Sequence, residues 1–236
     1  MRGPVIILVR PQLGENIGMA ARAMWNFGLE ELRLVAPRDG WPNPGAGPAA
    51  AGAGRIIDKA KIFTTTEEAI ADLNRVFAAT VRNREMTKPA LDAKGVAREI
   101  AKLGRGRAGI LFGPERAGLS NEDVVLADTI LSVPVNPAFG SLNLALAVGV
   151  AAYEWFLISR QKAKAGKAPE LPAPKSDLIS LFKHLESELE ARGYFHPEAR
   201  RASLTRSLRN ILQGARLTRQ QVQTLRGVVK ALVKPR

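Results

Sequence analysis

The chain has 236 residues, 46 % of them hydrophobic and 24 % charged, which excludes disorder over most of its length and allows a core that needs no disulfide or metal. It has no cysteine, so a disulfide scaffold, a Cys nucleophile, a Cys-ligated zinc site and an iron–sulfur cluster are excluded together, and the composition fits a reducing cytosol. Its formal net charge of +13 is the first hint of a polyanionic partner.

Taken in chain order, the first residues, MRGPVIILVR, hold only five consecutive apolar residues, too few for the core of a signal peptide. Pro4–Val9 reads as a buried parallel strand, and residues 16–27 as a helix with Ile17, Ala20, Ala21, Met24 and Phe27 on one face and Gly28 closing it. Leu32–Val35 is the next expected strand. Residues 37–54 form a Gly/Pro/Ala-rich loop with room for one short helix. Thr65-x-x-Glu68 is a capping box that opens a helix running to about Leu73. Further strands are expected at Arg75–Ala79, Ala108–Phe112 and Thr129–Val133, and helices at Ala93–Leu103, Asn121–Leu126 and Leu142–Ser159. The last of these is interrupted by Asn143 and Glu154, which argues against a membrane span. Strands alternating with helices predict an α/β domain over residues 1–160 with a largely parallel sheet. A soluble, cytoplasmic protein without membrane association is expected.

Residues 161–176, with three prolines and few large apolar side chains, read as a linker, and 177–236 as a small all-helical extension. Leu178, Leu181, Phe182, Leu185 and Leu189 share one helical face, and Leu204, Leu208, Ile211 and Leu212 another. Thr218-x-x-Gln221 caps a last helix through Val222, Leu225, Val229 and Leu232. Charge separates the two parts. Residues 1–160 carry 19 basic and 16 acidic residues, whereas 161–236 carry 16 and 6, with no acidic residue after Glu198. An excess confined to one end favours nucleic acid over an ordinary solvated surface, and no basic helix shows the Trp or Phe of a membrane-surface anchor. Arg206, Arg209 and Arg216 are the candidate RNA contacts, the first two lying opposite the Leu204/Leu208/Ile211 stripe.

Two signals carry little. Gly104, Gly106 and Gly109 spell G-x-G-x-x-G but lead into a strand instead of opening a helix, so a dinucleotide site is not expected. The two histidines, His184 and His196, lie in the extension without a ligand cluster, so no metal site is expected. Three other segments place polar residues and glycines after strands: Glu15–Gly18 with Arg22, Phe112–Ser120, and Pro134–Asn143. In a parallel sheet such loops line one crevice.

The set N-x-G-x-x-x-R (Asn16–Arg22), F-G-x-E-x-x-G-L (Phe112–Leu119) and P-x6-S-L-N-L-A (Pro134–Ala145) resembles the three motifs of the SPOUT class of RNA methyltransferases, in its TrmH-like branch. The S-L-N-L-A form of the third motif and the helical extension containing Leu225-Arg226-Gly227 resemble the TrmJ type, which makes 2'-O-methylribose at anticodon-loop position 32 of tRNA. One departure is Ala78-Ala79-Thr80-Val81, where relatives often carry Gly-Thr-Ser-Ala.

The resemblance implies a trefoil knot over about residues 79–155, S-adenosylmethionine as cofactor, and a homodimer whose sites use both protomers. Carried over by motif, the cofactor contacts are Ala79, Thr80, Val81, Gly113, Val133, Gly140, Ser141 and Leu142. The catalytic set is Asn16, Arg22, Glu115, Ser141 and Asn143. The family proposal casts Arg22 as general base. A guanidinium pKa above about 12 makes that demanding, and holding a phosphate or the developing alkoxide is an equal alternative. Glu115 would then orient Arg22, while Asn16, Ser141 and Asn143 fix the ribose and the loops. Structural roles stay open beside these: Arg22 as a surface arginine, Glu115 as a turn cap, Ser141 as N-cap of a helix beginning at Leu142, and Asn143 as a helix-start residue. Two other functions remain in competition, methylation of ribosomal RNA and RNA binding without turnover.

Overall fold

The structure is a computed structural model and describes residues 2–80, 88–160 and 171–233. Among these, seven strands form one parallel sheet: β1 (Val5–Val9), β2 (Leu32–Val35), β3 (Lys61–Phe63), β4 (Arg75–Ala79), β5 (Ala90–Leu91), β6 (Ala108–Phe112) and β7 (Thr129–Leu131), in the spatial order β3-β2-β1-β6-β4-β7-β5. Each neighbouring pair is parallel; Ile6 sits opposite Leu32 on one side and Ile110 on the other. β1 and β6 are buried at every residue, as their uninterrupted apolar runs require in a sheet covered on both faces.

One face is covered by α1 (Gly14–Asn26), α5 (Ala93–Lys102) and α7 (Leu144–Arg160), whose Met24, Val96, Val148 and Trp155 pack with Ile6, Phe77 and Ile110. The other is covered by α4 (Thr66–Ile70) and α6 (Asn121–Leu126), where Ile70 and Val124 meet Ile7, Val9 and Leu111. Gly28 ends the α1 segment at φ +71°, a conformation that suits a residue without Cβ.

Differences from expectation are local and have physical reasons. The loop at 37–54 holds one short helix, α2 (Ala46–Ala50), as expected, and a second that was not expected, α3 (Gly54–Asp58), begins where it ends. Gly18 makes room for α2, because a Cβ there would run into the Ala46 carbonyl. β3 and β5 were not expected; they are three and two residues long, at the sheet edges, too short for a hydrophobic period. Gly104 ends α5 at φ +59° and Gly109 lies within β6, so the G-x-G-x-x-G string is a helix-to-strand connection.

α8 (Lys175–Glu190), α9 (Arg201–Gly214) and α10 (Arg219–Val233) follow. Of the segment expected to be a linker, residues 161–170 lie outside the described ones, and Lys175 and Ser176 already form the first turn of α8. The junction is tied firmly. The buried Lys175 ammonium donates to Asp128 at 2.7 Å, the Ser176 N–H donates to the Ala71 carbonyl, and Asn74 donates to the Pro172 carbonyl. Leu178, Leu181, Phe182 and Val222 make a small core of their own. Among the described residues no helix is long and apolar enough to cross a membrane.

Candidate active site

The ends of β4, β6 and β7 open onto one cavity of about 330 Å³. Its wall includes Ala79 and Thr80 at the end of β4, Gly113 to Gly118 after β6, and Val133, Gly140, Ser141 and Leu142 after β7. Seven of the eight expected cofactor residues therefore surround one space; the eighth, Val81, lies outside the described residues. β7 stops at Leu131 and α7 starts only at Leu144, which leaves Val133 and Ser141 in the loop where they face the cavity.

The floor is apolar, formed by Phe112, Leu131, Leu144 and Ala147, and the rim is loop backbone with Glu115 and Arg116. A cavity of this size, with apolar walls and a few convergent polar groups, fits a nucleoside-sized ligand. Gly140 sits on the wall with nothing within 4 Å of where its Cβ would stand, so its backbone is open to a ligand. Gly113 serves a different purpose. A Cβ there would collide with the backbone of Gly118 and Leu119, so only glycine lets the 113–119 loop close on itself.

Glu115 joins the second motif to the first. Its carboxylate accepts from the Gln12 N–H at 3.0 Å, the Leu13 N–H at 3.3 Å and the Asn16 side-chain amide at 2.7 Å. It thereby holds the start of α1, which begins at Gly14 and places Asn16 in its first turn, nearly fully buried. The Asn143 amide in turn donates to the Asn16 side-chain oxygen at 3.4 Å. One residue from each of the three motifs thus joins a single chain of contacts.

Two expected roles change. Asn143, not Ser141, caps α7: its side-chain oxygen accepts from the Ala145 N–H at 2.9 Å and the Leu146 N–H at 3.4 Å. Glu115 does not orient Arg22 within the chain, because its carboxylate is taken up by the β1–α1 turn and Asn16. Arg22 lies exposed on α1, outside the cavity wall, and makes no ion pair among the described residues.

The far end of the 113–120 loop is held by Asp123, which sequence reading passed over. Ser120 and Asp123 form a capping box at α6, and Asp123 also accepts from the Thr66 hydroxyl at 2.8 Å and from Arg10. Burial pushes the Asp123 carboxyl up, but the hydrogen bonds from Ser120 and Thr66 and the Arg10 charge outweigh it and hold the pKa below the usual carboxylate range. The signal was present, since Ser120-x-x-Asp123 is a capping-box pattern. Arg116, on the cavity rim beside Glu115, was also not singled out.

In the extension, the expected apolar stripe of α9 holds in part: Leu204 and Leu208 are half-buried and Leu212 packs on the small core, while Ile211 does not. Ile211 is 69 % exposed, while Gln213 is buried and donates to the Leu126 carbonyl at 2.6 Å. Arg209 makes a two-point pair with Glu186, at 2.6 and 2.8 Å. Arg216 lies 3.6 Å from Glu99, and Arg206 is half-buried with no ion pair among the described residues. Nor is any group of three or more His, Asp or Glu placed to hold a metal ion among those residues.

Comparison with known proteins gives this geometry its class. Residues 3–153 match the SpoU rRNA Methylase family, and the chain belongs to that family. Residues 176–235 match the family described as tRNA methyltransferase TrmJ, C-terminal domain, which places the chain in the TrmJ-type branch. The tRNA (cytidine/uridine/adenosine-2'-O-)-methyltransferase TrmJ of Pseudomonas aeruginosa is 33 % identical, over 95 % of this chain and 91 % of its own length. The tRNA (cytidine/uridine-2'-O-)-methyltransferase TrmJ of Klebsiella pneumoniae is 34 % identical, over 96 % and 95 %. The crystal structure of TrmJ from Z. mobilis ZM4 is 52 % identical and superposes with a TM-score of 0.91, covering 98 % of this chain and all of that one.

Proposed function

We propose that the protein is a tRNA 2'-O-methyltransferase that moves the methyl group of S-adenosylmethionine to the ribose of cytidine or uridine 32 in the anticodon loop. The observation that carries this is one cavity shared by the end of β4 and the loops of the second and third motifs, with Glu115 on its wall hydrogen-bonded to Asn16 of the first motif, which Asn143 also reaches. The cofactor would supply a methyl group already activated by its sulfonium. What the chain must add is orientation of the ribose and a way to stabilise the 2'-oxygen as it loses its proton. Ala79, Thr80, Gly113, Val133, Gly140, Ser141 and Leu142 would hold the cofactor.

Arg22 completes the catalytic set from the second protomer of a homodimer. Its exposure supports this, as do the exposed apolar Leu13 and Met19 on or beside its own helix and Leu146, Tyr153 and Leu157 on α7, which packs against it. The trefoil knot and a cytoplasmic setting belong to the same reading. The basic extension, through Arg206, Arg209 and Arg216, would grip the tRNA outside the cavity.

The reading is tested by thermal unfolding with S-adenosylhomocysteine and no added metal. A ligand that binds only the folded state raises its stability by RT ln(1 + [L]/Kd), so the midpoint should rise with concentration. No shift at millimolar ligand, with or without tRNA, would count against the assignment.

A further inference from the structure

The loop from Pro114 to Gly118 is a partition. One side lines the 330 Å³ cavity, and the other lines a larger cleft of about 1070 Å³ closed off by α9. Pro114, Ala117 and Gly118 belong to both walls, so one loop's thickness separates the two spaces. The cleft exists because α9 is set against α6 by a polar contact, Gln213 to the Leu126 carbonyl, and its Arg-bearing side is thereby turned inward.

Four guanidiniums line this cleft, Arg201, Arg206 and Arg209 from α9 and Arg10 from the end of β1. Three are held in place by carboxylates: Arg10 by Asp123, Arg201 by Glu190 and Arg209 by Glu186. Such pairs occupy part of each five-donor fork and orient the rest. Arg206 has no carboxylate partner among the described residues. On the opposite wall Glu67 and Glu122 also take part in no ion pair there.

We propose that this cleft carries the sugar–phosphate backbone of the single-stranded RNA flanking the methylated nucleotide, with Arg206 as a phosphate contact. The proposal rests on the RNA-methyltransferase reading above and adds the path of the strand. A strand that presents a ribose to the cavity brings its neighbouring phosphates to the far side of the partition. There the pre-oriented guanidiniums and the unpaired Arg206 meet them. Glu67 and Glu122 oppose the phosphates, which limits affinity and gives the proposal a test of two signs.

The affinity of the full-length protein for an unmodified tRNA transcript is measured against salt concentration for wild type, Arg206→Gln and Glu122→Gln. Arg206→Gln should weaken binding severalfold and make the slope of log affinity against log salt shallower by about 0.7, the value for one phosphate of a single strand. Glu122→Gln should tighten binding by about two- to fivefold, the scale of one exposed charge interaction. Neither should change the affinity for S-adenosylhomocysteine. Opposite shifts support the path. Wild-type affinity in both variants, or a change of the same sign in both, overturns it while leaving methylation of tRNA by the wild type intact as a separate result. A wild type that neither binds nor methylates tRNA removes the functional reading and this proposal with it.

Discussion

The side-chain amide of Asn16 donates to the Glu115 carboxylate at 2.7 Å, joining residues 99 positions apart in the chain. The same carboxylate accepts two backbone N–H groups from the β1–α1 turn, so one side chain fixes both the turn and the first catalytic-motif residue. Glutamine at 115 can accept at one oxygen only and would turn an N–H group toward other donors. Glu115→Gln should therefore lower turnover by at least about tenfold and stability by roughly 1–3 kcal/mol, with cofactor affinity much less affected. Steady-state kinetics beside denaturant unfolding check it. Wild-type turnover would show that the turn does not need this anchor.

Asn143 does two jobs that substitution can separate. Its oxygen caps α7 and its amide reaches Asn16. Asn143→Ala should lose about 1 kcal/mol of stability as well as activity. Asn143→Asp keeps the cap acceptor and adds charge at a helix N-terminus, so its stability should match or exceed wild type. It loses the donor to Asn16, so its methyl transfer should still fall. An active Asn143→Asp would mean the cap is the residue's whole role.

The Asp123 carboxyl is held below its ordinary value of 3.8 in the folded state. As pH falls, the unfolded chain therefore takes up this proton first. The stabilisation is fully present above the unfolded value and is lost as pH drops through the folded one. Asp123→Asn should be less stable at neutral pH and show a flatter loss of stability between about pH 5 and 3. Denaturant unfolding across that range reads it; a slope equal to wild type would contradict the role of Ser120, Thr66 and Arg10 in holding the charge.

Arg22 is exposed and makes no ion pair among the described residues, so Arg22→Ala should change stability by no more than about 0.5 kcal/mol. Methyl transfer should nevertheless be largely lost. Because Arg22 acts across the dimer in this reading, mixing the impaired Arg22→Ala and Glu115→Gln variants should raise activity above that of either alone, since one site of the mixed dimer is then intact. No recovery in a verified mixed dimer would place both residues in the same protomer's site.

The sheet was largely legible in the sequence because buried parallel strands leave uninterrupted apolar runs, as at Val5–Val9 and Ala108–Phe112. The edge strands β3 and β5 were not, since two or three partly exposed residues carry no period. The loops forming the cavity could be named from their motifs, and their side chains do surround one space. Their internal wiring could not: which carboxylate meets Asn16, Arg22 or a backbone N–H depends on contacts between segments far apart in the chain. The way α9 docks on the domain was not legible for a related reason. Its apolar stripe pointed to packing through Ile211, but the helix meets the domain through Gln213, and a helical pattern does not reveal a polar docking contact.

The central claim is that these loops and helices together methylate a tRNA ribose. The direct measurement is to incubate the protein with methyl-labelled S-adenosylmethionine and a mixture of unmodified tRNA and ribosomal RNA, then map the labelled nucleotide. A single 2'-O-methyl mark is expected on tRNA, at cytidine or uridine 32 of the anticodon loop. A mark confined to ribosomal RNA, or a methyl group on a base and not on a ribose, would contradict it.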